Sequence, residues 1–250
     1  MEENVLEINK IHLGDSYELI KEIPDKSVDC IYIDIPYLID SGGGGSSELS
    51  KRIIKIQHYD IALINKGINY KIFKQLERIM KKTNIFIWCS KLQLLDIMNY
   101  FNKPNINFEI LTWNKLNPTP QTNNIWLPDI EYCLYFRESG VKLNDGYELK
   151  SKWFTSPINK PDKDLYGHPT IKPLELVKRH LAHATQPNDL VLDCFSGSGT
   201  TCVAAKELGR RFIGIEIDPN YHKISVDRLN GITTNGQTSI FTDFEVLSHD

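Results

Sequence analysis

The stretch Val191-Leu192-Asp193-Cys194-Phe195-Ser196-Gly197-Ser198-Gly199-Thr200-Thr201 constrains this chain most. It reads as a buried strand, a glycine turn and a helix. The apolar run stops at Asp193. Gly197 and Gly199 permit a sharp turn and a close approach by a ligand. Good helix formers follow from Thr200 to Leu208, and Gly209 stands where a C-terminal cap belongs. In open α/β sheets such a turn, at a strand's carboxyl end, is where nucleotides bind.

The spacing narrows the ligand. A dinucleotide fingerprint needs a third glycine at position 202, which is Cys202, and no Gly-Lys-Ser/Thr of a phosphate loop is present. The next strand ends in Gly214-Ile215-Glu216-Ile217-Asp218, about twenty residues after the turn, where a carboxylate can accept from ribose hydroxyls. A glycine turn and a ribose acid without a phosphate cradle suit an adenosine carrying no phosphates, and S-adenosylmethionine fits. The bland alternative is a tight strand–helix turn with a surface acid.

Strands alternate with helical patterns along the 250 residues, which predicts an α/β fold with a doubly wound, mostly parallel, Rossmann-like sheet. A helix is expected over 17–23, a buried strand over 28–33, a basic amphipathic helix over 68–82, strands over 84–89, 108–113 and 130–136, and a helix from Leu174. Residues 1–136 and 168–231 are expected to form one catalytic domain. Residues 137–167 lack a strong period and read as a small target-recognition insertion. Four consecutive glycines, Gly42 to Gly45, mark 38–60 as a mobile loop, and 232–250 is a polar tail.

No apolar window is long enough to span a membrane, and Met1-Glu2-Glu3-Asn4 has no signal-peptide core. Cys30, Cys89, Cys133, Cys194 and Cys202 are scattered through apolar runs, as expected of reduced core residues in a cytoplasmic protein without a zinc site. Net charge is −3, yet residues 51–115 hold twelve Lys/Arg against four Asp/Glu. That basic segment is either a phosphate-facing surface or a solvated helix face.

The strand at 28–33 ends in Asp34-Ile35-Pro36-Tyr37, again at a carboxyl edge. Here the chain resembles the amino-methylating DNA methyltransferases of adenine N6 and cytosine N4. The catalytic motif precedes the cofactor motif, as in their beta subclass. Gly14-Asp15 resembles the segment holding the cofactor adenine, and Asp34–Tyr37 the catalytic tetrapeptide Asp-Pro-Pro-Tyr. Thr112-Trp113-Asn114-Lys115 with Asn117-Pro118 resembles the Trp-x-Lys-x-Asn-Pro run. Glu131–Phe136 resembles the late catalytic strand, and His168-Pro169-Thr170-Ile171-Lys172-Pro173 the segment wrapping the methionine end. Asp193–Thr201 resembles the Phe-x-Gly-x-Gly loop. The glycine-rich loop further resembles small GATC-type adenine methylases.

The resemblance implies S-adenosylmethionine as cofactor, held by Asp15, His168, Thr170, Lys172, Asp193, Phe195, Gly197, Gly199, Thr200, Thr201, Glu216 and Asp218. It implies methyl transfer to adenine N6 in DNA, with cytosine N4 as the alternative. Asp34 and the Ile35 carbonyl would accept from the amine, Pro36 would shape the turn and Tyr37 would stack on the base. No Pro-Cys is present, which excludes a carbon-5 cytosine enzyme. A non-catalytic DNA-binding subunit and an RNA or small-molecule methyltransferase are the rival classes.

The target base must be flipped out or offered single-stranded. Lys51, Arg52, Lys55, Lys115, Lys152 and Trp153 are the expected DNA contacts, joined by Phe154 and by a helix face carrying Lys71, Lys74 and Arg78. A homodimer is expected to complete the clamp on DNA, within a system that pairs the enzyme with a restriction endonuclease. Ile35 replaces the family's proline and its fixed φ. Activity is expected to survive, with a less preorganised turn that Ile35→Pro would speed up.

Overall fold

The computed structural model describes residues 5–38, 67–120, 126–166 and 171–233. Eight strands form one sheet: β1 (Lys10–Leu13), β2 (Cys30–Asp34), β3 (Asn84–Cys89), β4 (Ile106–Lys115), β5 (Ile130–Glu138), β6 (Trp153–Ser156), β7 (Leu190–Asp193) and β8 (Arg211–Glu216). Their spatial order is β1-β8-β7-β2-β3-β5-β4-β6. Helices α1 (Ser16–Leu19), α2 (Ile72–Ile79), α3 (Leu94–Phe101), α4 (Lys160–Tyr166), α5 (Leu174–Ala184), α6 (Thr200–Glu207) and α7 (Pro219–Leu229) connect them.

Both faces of the central strands are buried, as their near-continuous apolar sequences require. Successive side chains point to opposite faces. Ile31, Ile33, Ile85 and Ile87 therefore meet Ile72, Phe73, Leu76, Ile97 and Phe101 from α2 and α3 on one side. Cys30, Tyr32, Phe86 and Trp88 meet Leu176, Val177, Leu181, Ala204 and Ala205 from α5 and α6 on the other. All five cysteines are buried as free thiols in these two cores. No helix among the described residues is long and apolar enough to cross a membrane.

Two expectations change. The helix expected over 17–23 is a short α-helix followed by a 3-10 turn, Ile20–Glu22, because Ile23 adopts an extended conformation ahead of Pro24. Strand β5 runs antiparallel to both neighbours, β3 and β4. A parallel return needs a long crossover, usually helical, whereas the β4–β5 connection opens with Pro118 and Pro120. Residues 137–167, which lack a strong period in the sequence, contribute β6 to the same sheet, parallel to β4.

The loop at 38–60, with Lys51, Arg52 and Lys55, lies outside the described residues apart from Leu38. So do His168, Thr170 and the tail beyond Thr233.

Candidate active site

Four parallel strands bring the sequence motifs to one edge. Strand β7 lies between β8 and β2, so the glycine turn after Asp193 and the tetrapeptide starting at Asp34 emerge side by side. On the far side, Leu13 of β1 is in register with Glu216 of β8, and the Gly14 amide donates to the Glu216 carbonyl at 2.9 Å.

The cofactor side is built from short local bonds. Gly197 and Gly199 both have positive φ, 49° and 76°, as a reversal between strand and helix demands. Asp193 is buried, accepts from the Phe195 amide at 3.1 Å and is bonded by the Thr201 hydroxyl. Burial lifts its carboxyl to about 7. Glu216 accepts from the Gly197 amide at 2.7 Å through Oε2 and from the Asp218 amide at 2.9 Å through Oε1. The Ile217 amide also bonds this carboxylate; a carboxylate offers about four lone-pair sites, so about one stays free for a ligand. Burial also raises its pKa, since the charge sits away from water.

The other expected cofactor residues divide by their bonds. Asp15 caps α1 through the Tyr17 amide at 2.8 Å. Asp218, two residues beyond β8, caps α7 through the amides of Asn220 and Tyr221, both on Oδ1. Thr200 accepts from Arg228 Nη1 at 2.7 Å. Arg228 is buried, reaches Ser198 as well, and contacts Asp162 and Tyr166 of α4. It thus ties the glycine turn to the helix preceding Lys172.

Lys172 is not directed at the cofactor edge alone. Its ammonium donates to Asp34 Oδ2 at 2.5 Å, pairs with Glu131 Oε2 at 3.0 Å and donates to the Tyr37 hydroxyl at 3.3 Å. It also lies over the rings of Trp88 and Tyr37, at 5.2 and 5.5 Å. Burial works against this charge, but Asp34 and Glu131 hold the ammonium above the usual lysine range. Burial likewise raises Asp34, opposed by Lys172. For Glu131 the burial effect is overcome by Lys172 and Lys115, which bring it down to about 2.

Asp34 keeps acceptor capacity. Its side chain is 30% exposed at the sheet edge, yet Oδ1 is shielded from water and has no hydrogen-bond partner among the described residues. A buried acceptor without a partner costs free energy, and such a group marks a place where a donor arrives with a ligand.

The tetrapeptide is held from behind. Buried Gln93 donates through Nε2 to the Pro36 carbonyl at 3.0 Å, while its Oε1 takes the Ser90 amide and hydroxyl. Ile35 packs in the core, and its amide donates to the Trp88 carbonyl at 3.2 Å, extending the β2–β3 ladder. Proline cannot make that bond, so the gain in turnover expected from Ile35→Pro does not follow. Tyr37 donates its hydroxyl to Glu131 at 3.3 Å, and burial beside Asp34 and Glu131 keeps the phenol protonated.

The expected DNA contacts are differently disposed. Lys115 lies against Glu131 at 2.6 Å and over the Trp113 ring, largely buried within the catalytic cluster. Lys152 pairs with Glu109 at the surface, and Trp153 is exposed. Phe154 packs under Arg179 and against the core. Arg78 is engaged by Asp25 and the carbonyls of Ile20 and Ile23, whereas Lys71 and Lys74 are exposed.

Glu131 was legible only through the resemblance of Glu131–Phe136 to the late catalytic strand; Gln93, Trp88 and Arg228 carry no signal in the sequence that sets them apart from ordinary core or solvent-facing positions.

Residues 28–227 match the family model for the DNA methylases that modify N6 or N4 amines. This chain belongs to that family. The methylase is 33% identical over 247 residues to the type II methyltransferase M2.LlaDCHI of Lactococcus lactis subsp. cremoris, covering 89% of this chain and 90% of the relative. It is 31% identical over 241 residues to the type II methyltransferase M2.DpnII of Streptococcus pneumoniae, covering 86% and 87%. Among solved structures it is similar to the M1.HpyAVI–SAM complex, with a TM-score of 0.63, 26% identity, and 88% and 98% of the two chains covered. The α/β, Rossmann-like class read from the sequence is thus the fold of this methylase.

Proposed function

We propose that this methylase transfers a methyl group from S-adenosylmethionine to the N6 amine of adenine in DNA. The observation that carries the reading is Asp34: a carboxylate at a strand's carboxyl edge, beside the glycine turn, with one oxygen lacking any donor among the described residues. An adenine amine is a poor nucleophile because its lone pair is delocalised into the ring. Acceptors aimed at its hydrogens favour a pyramidal nitrogen and stabilise the positive charge that develops there. Asp34 and the Ile35 carbonyl are those acceptors. Tyr37, with its hydroxyl tied to Glu131, offers its ring for stacking.

The cofactor's sulfonium supplies the methyl group. Glu216 binds the ribose hydroxyls with its remaining acceptor capacity, Gly197 and Gly199 admit the adenosine backbone-close, and Asp15, Asp193, Phe195, Thr200 and Thr201 line the same edge. The donor and acceptor set of that edge fits an uncharged nucleoside: among the described residues, Arg228 is the one lysine or arginine bonded into the turn, and it is engaged by Thr200, Ser198 and Asp162. Lys172 orients Asp34 and belongs to the catalytic cluster. Positioning amine and methyl in line supplies much of the rate.

Target recognition falls to residues 137–167, where exposed Trp153 and Lys152 stand on the edge strand β6, and to the basic loop at 38–60 with Lys51, Arg52 and Lys55. Residues 1–136 and 168–231 act as one catalytic domain. A second copy of the chain completes the clamp on DNA in the cytoplasm, and a restriction endonuclease shares the recognition sequence. The type II methyltransferase names of the relatives support the last point.

The test is transfer of labelled methyl to mixed-sequence DNA, duplex and single-stranded, by the intact protein and Asp34→Ala. Label in N6-methyladenine that vanishes with Asp34 is the expected outcome. Label in N4-methylcytosine, or transfer to RNA alone, would replace this reading.

A further inference from the structure

Lys172 is the only ammonium bonded to Asp34 among the described residues, and all three of its N–H donors have an oxygen in reach: Asp34 Oδ2, Glu131 Oε2 and the Tyr37 hydroxyl. Glu131 uses its two oxygens differently. Oε1 takes Lys115 at 2.6 Å, and Oε2 takes Lys172 at 3.0 Å and the Tyr37 hydroxyl at 3.3 Å. The glutamate is 18% exposed, near the start of β5, in register with Trp113 of β4, which stands two residues before Lys115. It therefore joins Lys115 of β4 to Lys172 and Tyr37 through one carboxylate.

We infer that Glu131 is a positioning residue for methyl transfer: it holds Lys172 to a single oxygen of Asp34 and so leaves the remaining acceptor capacity of that carboxylate for the target amine.

Two physical consequences follow. Without Glu131, Lys172 loses one of its two carboxylates, and the ammonium can then shift to straddle both oxygens of Asp34 and compete with the amine. The charge balance also changes. Lys163 of α4 lies near Lys115 and Lys172, and burial together with those two ammonium groups holds it below the usual lysine range. The cluster thus sets Asp34 and Glu131 against three lysines. Neutralising Glu131 leaves Asp34 alone among them, beside a nitrogen that becomes positive in the transition state, where electrostatic mismatch slows the chemical step. The Tyr37 hydroxyl at the same time exchanges a charged acceptor for a neutral one and is left with the Asp34 carboxylate, which loosens the ring offered to the base.

The inference rests on Asp34 being the amine's acceptor, and the experiment separates the two. Single-turnover methyl transfer to mixed-sequence DNA is counted as total label, so that base identity does not enter, for the intact protein, Asp34→Ala, Glu131→Gln and Glu131→Asp. Glu131→Gln is expected to lower kcat at least tenfold with KM for S-adenosylmethionine within threefold, and Glu131→Asp, which keeps the charge, to recover part of the loss. Wild-type kcat in folded Glu131→Gln, a loss carried wholly by KM, or no advantage of Asp over Gln overturns it. If Glu131→Gln fails to fold, Glu131→Asp decides: lowered kcat at unchanged KM supports the role and wild-type kcat removes it. An active Asp34→Ala sinks the reading of the site itself; an inactive Asp34→Ala with wild-type Glu131→Gln sinks only this inference.

Discussion

At the scale of single residues, two aspartates ending neighbouring strands are perturbed in the same direction. Burial raises both, but only Asp34 has an ammonium bonded to it. Asp193 is left with a hydroxyl and an amide, and its carboxyl sits at about 7. The raised value fixes the sign of its contribution to stability. The folded state binds the proton more tightly than the unfolded chain, so this contribution is complete below the ordinary value of 3.8 and is lost as pH rises to about 7. Asp193→Asn cannot ionise. Its stability relative to the intact protein should therefore improve steadily between about pH 4 and pH 7 and level off above. Thermal melts of the pair across that range check this. The difference between the two curves matters, because buried His180, depressed to about 3 by burial, acts in the opposite sense on both proteins. A flat difference curve would show that Asp193 is not perturbed.

At the scale of elements, the turn between β7 and α6 is shaped by what surrounds it as much as by its own flexibility. A Cβ on Gly199 would stand 2.9 Å from Ser225 Cβ and 3.2 Å from Ile11 Cδ1, at a backbone φ of 76°. The close neighbours belong to α7 and β1, so the glycine is needed where three elements converge. Gly209 has a similar φ, 69°, and nothing within 4 Å of such a Cβ. Both alanine variants carry the left-handed strain of about 1–2 kcal/mol. Gly199→Ala should in addition displace the turn and weaken S-adenosylmethionine binding at least tenfold, whereas Gly209→Ala should bind normally. Calorimetric titration of the two variants makes the comparison, and equal affinities would remove the packing argument.

At the scale of the whole molecule, one sheet serves two cores. Strand β2 gives Ile31 and Ile33 to one and Cys30 and Tyr32 to the other, and β3 divides its residues in the same way. Neither core can be dismantled without the strands that build its partner. Unfolding in urea should accordingly show one transition, with tryptophan fluorescence, dominated by buried Trp88 and Trp113, coincident with far-ultraviolet dichroism. Separate midpoints would mean that the edge formed by β4, β5 and β6 unfolds independently. That edge is where the chain departs from a purely parallel sheet, and it carries both Glu131 and the segment assigned to target recognition.

The sequence by itself determined the strand–turn–helix at Val191–Thr201, the acid ending β8 and the tetrapeptide at Asp34. Each is a local pattern: apolar runs that stop, glycines at a reversal, a carboxylate at a strand end. Near-continuous apolar runs likewise made the doubly buried strands legible. Only the tertiary structure decided that Glu216 accepts from the glycine turn while Asp218 caps α7, because both acids end the same apolar run. Only it decided that Lys172 pairs with Asp34 and Glu131, that Lys115 pairs with Glu131, that Gln93 bonds the Pro36 carbonyl and that Arg228 bonds Thr200. These pairs lie between 16 (Lys115–Glu131) and 138 (Lys172–Asp34) residues apart, and an ion pair or buried amide across such separations leaves no periodicity to read.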